Sequence, residues 1–251
     1  MNRIMNNKLH IFNYFFLLMF AVLVTAALAS CGKANNNLPT RDLPQINLIY
    51  VSPDGNPVSI YAGAIKLNNA NYSYPNSSGY FKLSNIGPQV FTIRSAGAAA
   101  NILDTVNATV NPNTKYTLIE TGIKADSLSK SKSQSTQLLS HIFLVDSSTT
   151  PFVGHGKVRF INASPHSGSF NVTANGTAAF NNIAFGKYSP YVEMPAGSYN
   201  FQFYQTTNNS TVVYSLPSIA VNDGGLYSIY SYGILGHTDT AAFAAAVITN
   251  R

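Results

Sequence analysis

Beyond residue 45 the sequence contains one pattern written twice, at an offset that runs from 108 residues (Phe91 to Tyr199) to 113 (Tyr72 to Phe185). Ser52-Pro53 returns as Ser164-Pro165, and Leu67-Asn68-Asn69-Ala70-Asn71-Tyr72 as Phe180-Asn181-Asn182-Ile183-Ala184-Phe185. Residues 110–116 return as 221–227, and Gly122-Ile123 as Gly233-Ile234. A repeat this long can close its own hydrophobic core, whereas the units of solenoids, at about 20–50 residues, need their neighbours to do so. Two tandem domains are therefore expected, over residues 46–150 and 156–251, with a linker at 151–156.

Each copy is strand text. Residues 46–51, 58–61, 80–83, 90–94, 102–110 and 115–121 are rich in β-branched and aromatic residues, and turn residues such as Asp54-Gly55 and Asn111-Pro112 separate several of them. Tyr199, Phe201 and Phe203 alternate with Asn200, Gln202 and Tyr204, as in a strand with one face on a core and the other in water. The alanines of residues 241–249 favour helix taken alone, but the matching place in the first copy holds His141-Ile142-Phe143-Leu144-Val145, so strand is expected there too. Short, evenly spaced strands predict an all-β fold of sandwich or barrel type. The segment from Val110 to Tyr116, and its partner ending at Tyr227, resembles the tyrosine corner of immunoglobulin-like and fibronectin-type sandwiches. That resemblance implies two tandem immunoglobulin-like (Greek-key) β-sandwiches.

Ahead of the repeats lies an address. A basic head with Arg3 and Lys8, an apolar run over residues 11–28 and a step to small residues have the layout of a secretory signal peptide. Leu28-Ala29-Ser30-Cys31 resembles the bacterial lipobox, which implies a lipoprotein signal peptide over residues 1–30, cleavage before Cys31 and a diacylglyceryl group on its sulfur. The rival is an uncleaved spanning helix, which the run is long enough to form, although Asn13 interrupts it and no cluster of positive charge follows. Residues 31–45 are Asn, Pro and small polar residues without apolar period, as in a flexible tether. The expected product is exported and held to a membrane through lipid on Cys31. Gly32 in place of an Asp after the cysteine implies, by the same resemblance, the outer membrane, and the absence of acids there leaves its periplasmic or surface face open.

A family resemblance rests on Val158-Arg159-Phe160-Ile161-Asn162-Ala163-Ser164-Pro165, on Tyr191-Val192-Glu193-Met194-Pro195-Ala196-Gly197-Ser198-Tyr199, and on Gly225-Leu226-Tyr227 with Gly233 closing the strand. The second copy in these respects resembles the bacterial domain of unknown function 4397 (DUF4397). The first copy is similar in outline but degenerate, lacking the Arg and the Asn-Ala, with Gly87-Pro88 where Pro-Ala-Gly is expected. The resemblance implies an exported, sandwich-like module and no activity.

The chemistry is sparse. His141, His155, His166 and His237 are scattered without metal-ligand spacing, no acid run makes a calcium loop, and neither a nucleophile elbow nor a phosphate loop is present. No metal, cofactor or catalytic residue is therefore expected, and the protein is read as not an enzyme. With 10% charged residues and a formal net charge of +6, two of whose contributors lie in the leader, the chain does not read as binding nucleic acid. Cys31 is the sole cysteine, so no disulfide within the chain supports the fold. Tyrosines crowd the second copy, and ordinary half-buried strand tyrosines are the favoured reading; the alternative is an exposed row including Tyr204, Tyr230 and Tyr232 that would stack on sugar rings or a partner protein. Thr105, Ser127 and Thr240, each after an Asp and before an apolar residue, resemble an O-glycosylation sequon of exported bacterial proteins. These features point first to a lipid-anchored binding module for an envelope glycan or protein, working through loops such as residues 124–137. A structural spacer comes second and an envelope hydrolase last.

Overall fold

A computed structural model describes residues 43–97, 100–124 and 139–251. The leader, Cys31, the tether as far as residue 42 and Ser127 lie outside the described residues. Every helix or strand among those described is a strand. The first copy supplies β1 (Gln45–Tyr50), β2 (Val58–Ala62), β3 (Ile65–Lys66), β4 (Asn76–Lys82), β5 (Gly87–Ser95), β6 (Ile102–Val110), β7 (Lys115–Thr121) and β8 (Ser140–Val145). The second supplies β9 (His155–Asn162), β10 (Phe170–Ala174), β11 (Thr177–Ile183), β12 (Val192–Pro195), β13 (Gly197–Gln205), β14 (Asn208–Val221), β15 (Leu226–Tyr232) and β16 (Ala244–Thr249). The alanine-rich end of the chain is thus strand, because β15 offers it an edge from Tyr227 to Tyr232.

Each copy makes two four-stranded sheets, ordered β4-β1-β7-β8 and β3-β2-β5-β6 in the first, β12-β9-β15-β16 and β11-β10-β13-β14 in the second. The two orders are identical position for position. So is the parallel pair, β1 with β7 and β9 with β15. The constant-type immunoglobulin order pairs the first two strands in one sheet; here β1 and β2, like β9 and β10, lie in opposite sheets. Residues 51–57, with Pro53 and Pro57 among them, are too long and too proline-rich for a tight hairpin and carry the chain across to the other sheet. The tyrosine turn recurs in both copies: the Asn111 N–H donates to Tyr116 Oη at 2.8 Å, and the Asn222 N–H to Tyr227 Oη at 3.0 Å.

Between its two sheets each copy buries a core. Ile46, Leu48, Tyr50, Phe91, Tyr116 and Leu118 belong to the first, and Val158, Phe160, Phe201, Phe203, Tyr227 and Ile229 to the second. The opposite faces of the strands β1, β7, β9 and β15 are also apolar. Ile49, Val51, Ile119, Ile142 and Leu144 of the first copy pack there on Ile161, Ala163 and Tyr230 of the second. Residues 43–251 therefore include a stack of four sheets, and the two middle sheets are covered on both faces.

Strand direction gives the stack two poles. β1, β7, β9 and β15 all start at one of them, where the described chain enters at Leu43, because Gln45 pairs with Lys115 and Lys157 with Leu226. The Lys115 ammonium donates to Asn250 O at 2.9 Å, and Arg251 N bonds back to Leu226 O, so both copies begin at this entry pole. At the far pole the same strands end, and there Thr121 Oγ1 donates to Ala163 O at 2.6 Å. The tandem copies lie side by side with the same polarity.

Candidate functional site

Three sets of polar residues stand out from the apolar framework. The first is sunk in the joint between the sandwiches. Asp146 follows β8, its side chain wholly buried, and accepts hydrogen bonds from Tyr80 Oη and Thr117 Oγ1, each at 2.6 Å, and from Arg159. Arg159, on β9, is 4% exposed in its side chain and also donates to Ser228 Oγ at 2.7 Å and Val145 O at 3.0 Å. The Tyr191 ring lies 4.8 Å from its guanidinium carbon. Asn250 takes the Ser228 hydroxyl at 2.7 Å and donates to Tyr80 Oη at 2.8 Å. Burial, followed by the Asp146 charge, holds the Tyr80 phenol well above the usual tyrosine range. The joint is pseudo-symmetric: Tyr80, Thr117 and Asp146 in one copy face Tyr191, Ser228 and Asn250 in the other.

The second set crowns the first sandwich at the far pole. His141 Nδ1 lies 2.5 Å from Asp104 Oδ2, joining β8 of one sheet to β6 of the other. Glu120, the cross-strand neighbour of His141, is fully buried beside Asp104. Burial, and then the Asp104 charge, raises the Glu120 pKa well above the usual range and favours its neutral form. For Asp104, burial pushes up, but the hydrogen bonds from His141 and the Thr105 N–H outweigh it and hold the carboxyl below its ordinary value. Beside this cluster Tyr50 donates to Asn56 O at 2.9 Å, and burial first, with Glu120 and Asp54 adding to it, lifts its phenol to about 12. A cavity of about 170 Å³ opens there between Tyr50, Asn101, Leu103, Lys124 and Leu139. It is smaller than the pockets of about 300–1,000 Å³ that take drug-sized ligands. A Cβ at Gly55 would stand 1.8 Å from Tyr50 Oη, which is why the loop over this cavity turns on glycine. Among the described residues no group of three or more His, Cys, Asp or Glu is placed to hold a metal ion.

The third set is aromatic, and its tyrosines are buried or half-buried strand residues. Tyr230 is 7% exposed and belongs to the apolar cluster of the joint, so it offers no free face to a sugar. Burial, with Tyr232 second, raises its phenol to about 12. Tyr232 is half-buried at the far-pole rim of the joint, edge-on to Tyr74 at 6.2 Å. Tyr204 sits apart on β13, half-buried, with its hydroxyl on Gln202 at 3.3 Å. The three do not form one row, because β15 presents Tyr230 to the neighbouring sandwich and not to solvent. Thr105 and Thr240, two of the three sequon residues, are both exposed.

Residues 156–251 match the family described as "Domain of unknown function (DUF4397)". The second sandwich is a DUF4397 domain. No family matches the first sandwich, although it is a β region of similar size. No curated protein matches the chain.

The motif residues of the DUF4397 domain have structural work to do. Asn162 uses its amide nitrogen on Gly168 O and Ile183 O, at 2.9 and 3.0 Å, and its amide oxygen on the Ser164 N–H and Ser231 Oγ, both at 3.1 Å. One buried side chain thus ties the end of β9 to three other segments. Ser164 Oγ donates to Gly233 O at 2.5 Å. Gly233 has a φ of +73°, and a Cβ on it would lie 2.2 Å from Ala242 O, so no other residue fits. Arg159 reaches out of its own domain, to Asp146 of the first sandwich. Sequence reasoning missed this joint and the Asp104–Glu120–His141 cluster, since each brings together residues from distant strands.

Proposed function

We propose that the chain is a non-enzymatic, lipid-anchored cell-envelope protein, tethered to the outer membrane through Cys31, that binds an envelope glycan or protein with the loops of its far pole. The first sandwich, in this reading, is a degenerate copy of the DUF4397 domain; the shared strand order, parallel pair, tyrosine turn and pseudo-symmetric joint support that descent. The observation that carries the functional reading is the side-by-side stack with common polarity. A spacer gains reach when domains follow one another end to end, whereas two sandwiches stacked through their sheets add breadth and present a wide loop surface opposite the point of chain entry. Lys124, the small cavity and the exposed Thr240 lie on that surface, which makes residues 124–137 the loop to test.

Replacing residues 124–137 by a short Gly-Ser turn is expected to abolish capture of an envelope glycan or protein by the purified protein while leaving its thermal unfolding unchanged. Unchanged capture would return the case to a structural spacer. Cys31→Ser is expected to abolish lipid attachment, leaving an uncleaved precursor of larger size. A variant of unaltered size that still sediments with membranes would refute the anchor.

A further inference from the structure

The most exposed large apolar residues of the described chain are neighbours: Phe152 is 77% and Val153 92% accessible. They occupy a turn that is pinned on every side. The Phe152 N–H donates to Glu193 Oε1 at 2.7 Å, the Gly154 N–H to Asp223 Oδ1 at 2.8 Å, and the Ala196 N–H to Gly154 O at 2.7 Å. Gly154, at a φ of +78°, makes the reversal that His155 N closes on Phe152 O at 3.0 Å. The backbone is fixed, and the two side chains it projects contribute nothing to either core. Pinning a turn so that it holds greasy side chains in water makes sense only if something else covers them.

The turn leads into β9 and touches the loop before β15, so it stands at the entry pole. Leu43, Ile65, Ile86 and Val145 are exposed at the same pole. Cations accompany them. Lys82 and Lys115 line an open cleft of about 330 Å³ with Asn113 and Thr114, and Arg251 bonds Gly224 O beside the turn. Leu43 lies twelve residue steps after Cys31, which allows a span of at most about 40 Å. A lipid on Cys31 would therefore keep this pole close to the bilayer.

We propose that the entry pole is a membrane-contact face, in which Phe152 and Val153 enter the headgroup and upper acyl region while Lys82, Lys115 and Arg251 meet anionic headgroups. The occupant is a lipid surface, as the combination of a protruding apolar tip and flanking cations is suited to an interface with both acyl chains and phosphates. The orientation rests on the anchor proposed above; the contact itself is a property of the turn. It gives the lipid anchor a second point of attachment and fixes the far pole outward.

The sequence contains no tryptophan, so Phe152→Trp introduces a single reporter. The full chain is placed in vesicles of phosphatidylethanolamine and phosphatidylglycerol, with and without brominated acyl chains. Burial to about 5–10 Å predicts a blue-shifted emission and a roughly two-fold or greater loss of intensity with the brominated lipid. Val212→Trp, an exposed site on β14 away from the entry pole, is expected to show neither change. Water-like, unquenched emission from Phe152→Trp, equal to that of the control, would overturn the proposal. The anchor is judged separately, by the mass of the amino-terminal peptide. Should that mass lack the lipid, vesicles added to the unlipidated chain test the turn alone, by the same quenching.

Discussion

Removing the Asp146 carboxylate should cost far more than removing an ordinary surface charge. Asp146→Ala takes the acceptor from three donors at once: Arg159, Tyr80 Oη and Thr117 Oγ1. Arg159 cannot shed its proton, and its remaining contacts are Ser228 Oγ, Val145 O and the Tyr191 ring. Stranding one member of a buried pair in this way costs about 3–5 kcal/mol, against about 0–1 kcal/mol for an exposed pair. Replacing both members, as Asp146→Leu with Arg159→Met, removes the stranded charge and should recover most of the loss, since a packed apolar pair often does as well as a buried ionic one. Urea unfolding of the wild type, Asp146→Leu, Arg159→Met and the double variant measures each term and the coupling between them. A loss below about 1 kcal/mol in Asp146→Ala would show that water reaches the pair and that the joint is not sealed.

Two further perturbations test other parts of the account. Burial favours the neutral carboxyl of Glu120 in the folded protein more than in the unfolded chain, so as pH rises above the ordinary carboxyl value the folded state holds more protons and stability falls. Glu120→Gln should remove that slope and raise the melting temperature at pH 8 relative to pH 5; an unchanged pH profile would mean the carboxyl is hydrated. Gly233→Ala, forced into a left-handed φ and against Ala242 O, should destabilise the DUF4397 domain by about 2–4 kcal/mol, seen as a lower urea midpoint. A variant of wild-type midpoint would contradict the close approach.

Much of the fold is legible in the sequence because the pattern is local. The spans expected at 102–110 and 115–121 coincide with β6 and β7, and Phe201 and Phe203 are buried as their alternation requires. The repeat correctly makes a strand of alanines that favour helix. Strand order is less legible, since two sandwich topologies can share the same strands and the same tyrosine turn. The joint left one signal in the text: Ile46 to Val51 and Val158 to Ala163 are nearly unbroken apolar runs, which suit strands covered on both faces. Tyr230 misleads in isolation because a tyrosine facing a neighbouring domain and one facing water look alike in a strand. Asp104, Glu120 and His141 come from three strands and two sheets, and no spacing within the chain announces them.

Small-angle scattering from a chain starting at Leu43 tests the fused stack most directly. A single compact body of this length has a radius of gyration of about 17 Å. Two separate bodies of about 13 Å each, with centres about 40 Å apart on the 147–154 connection, would give about 24 Å. The stack of four sheets predicts the smaller value, unchanged by moderate salt; the larger one would mean that the two sandwiches are independent beads and that no common face exists for a ligand or a membrane to meet.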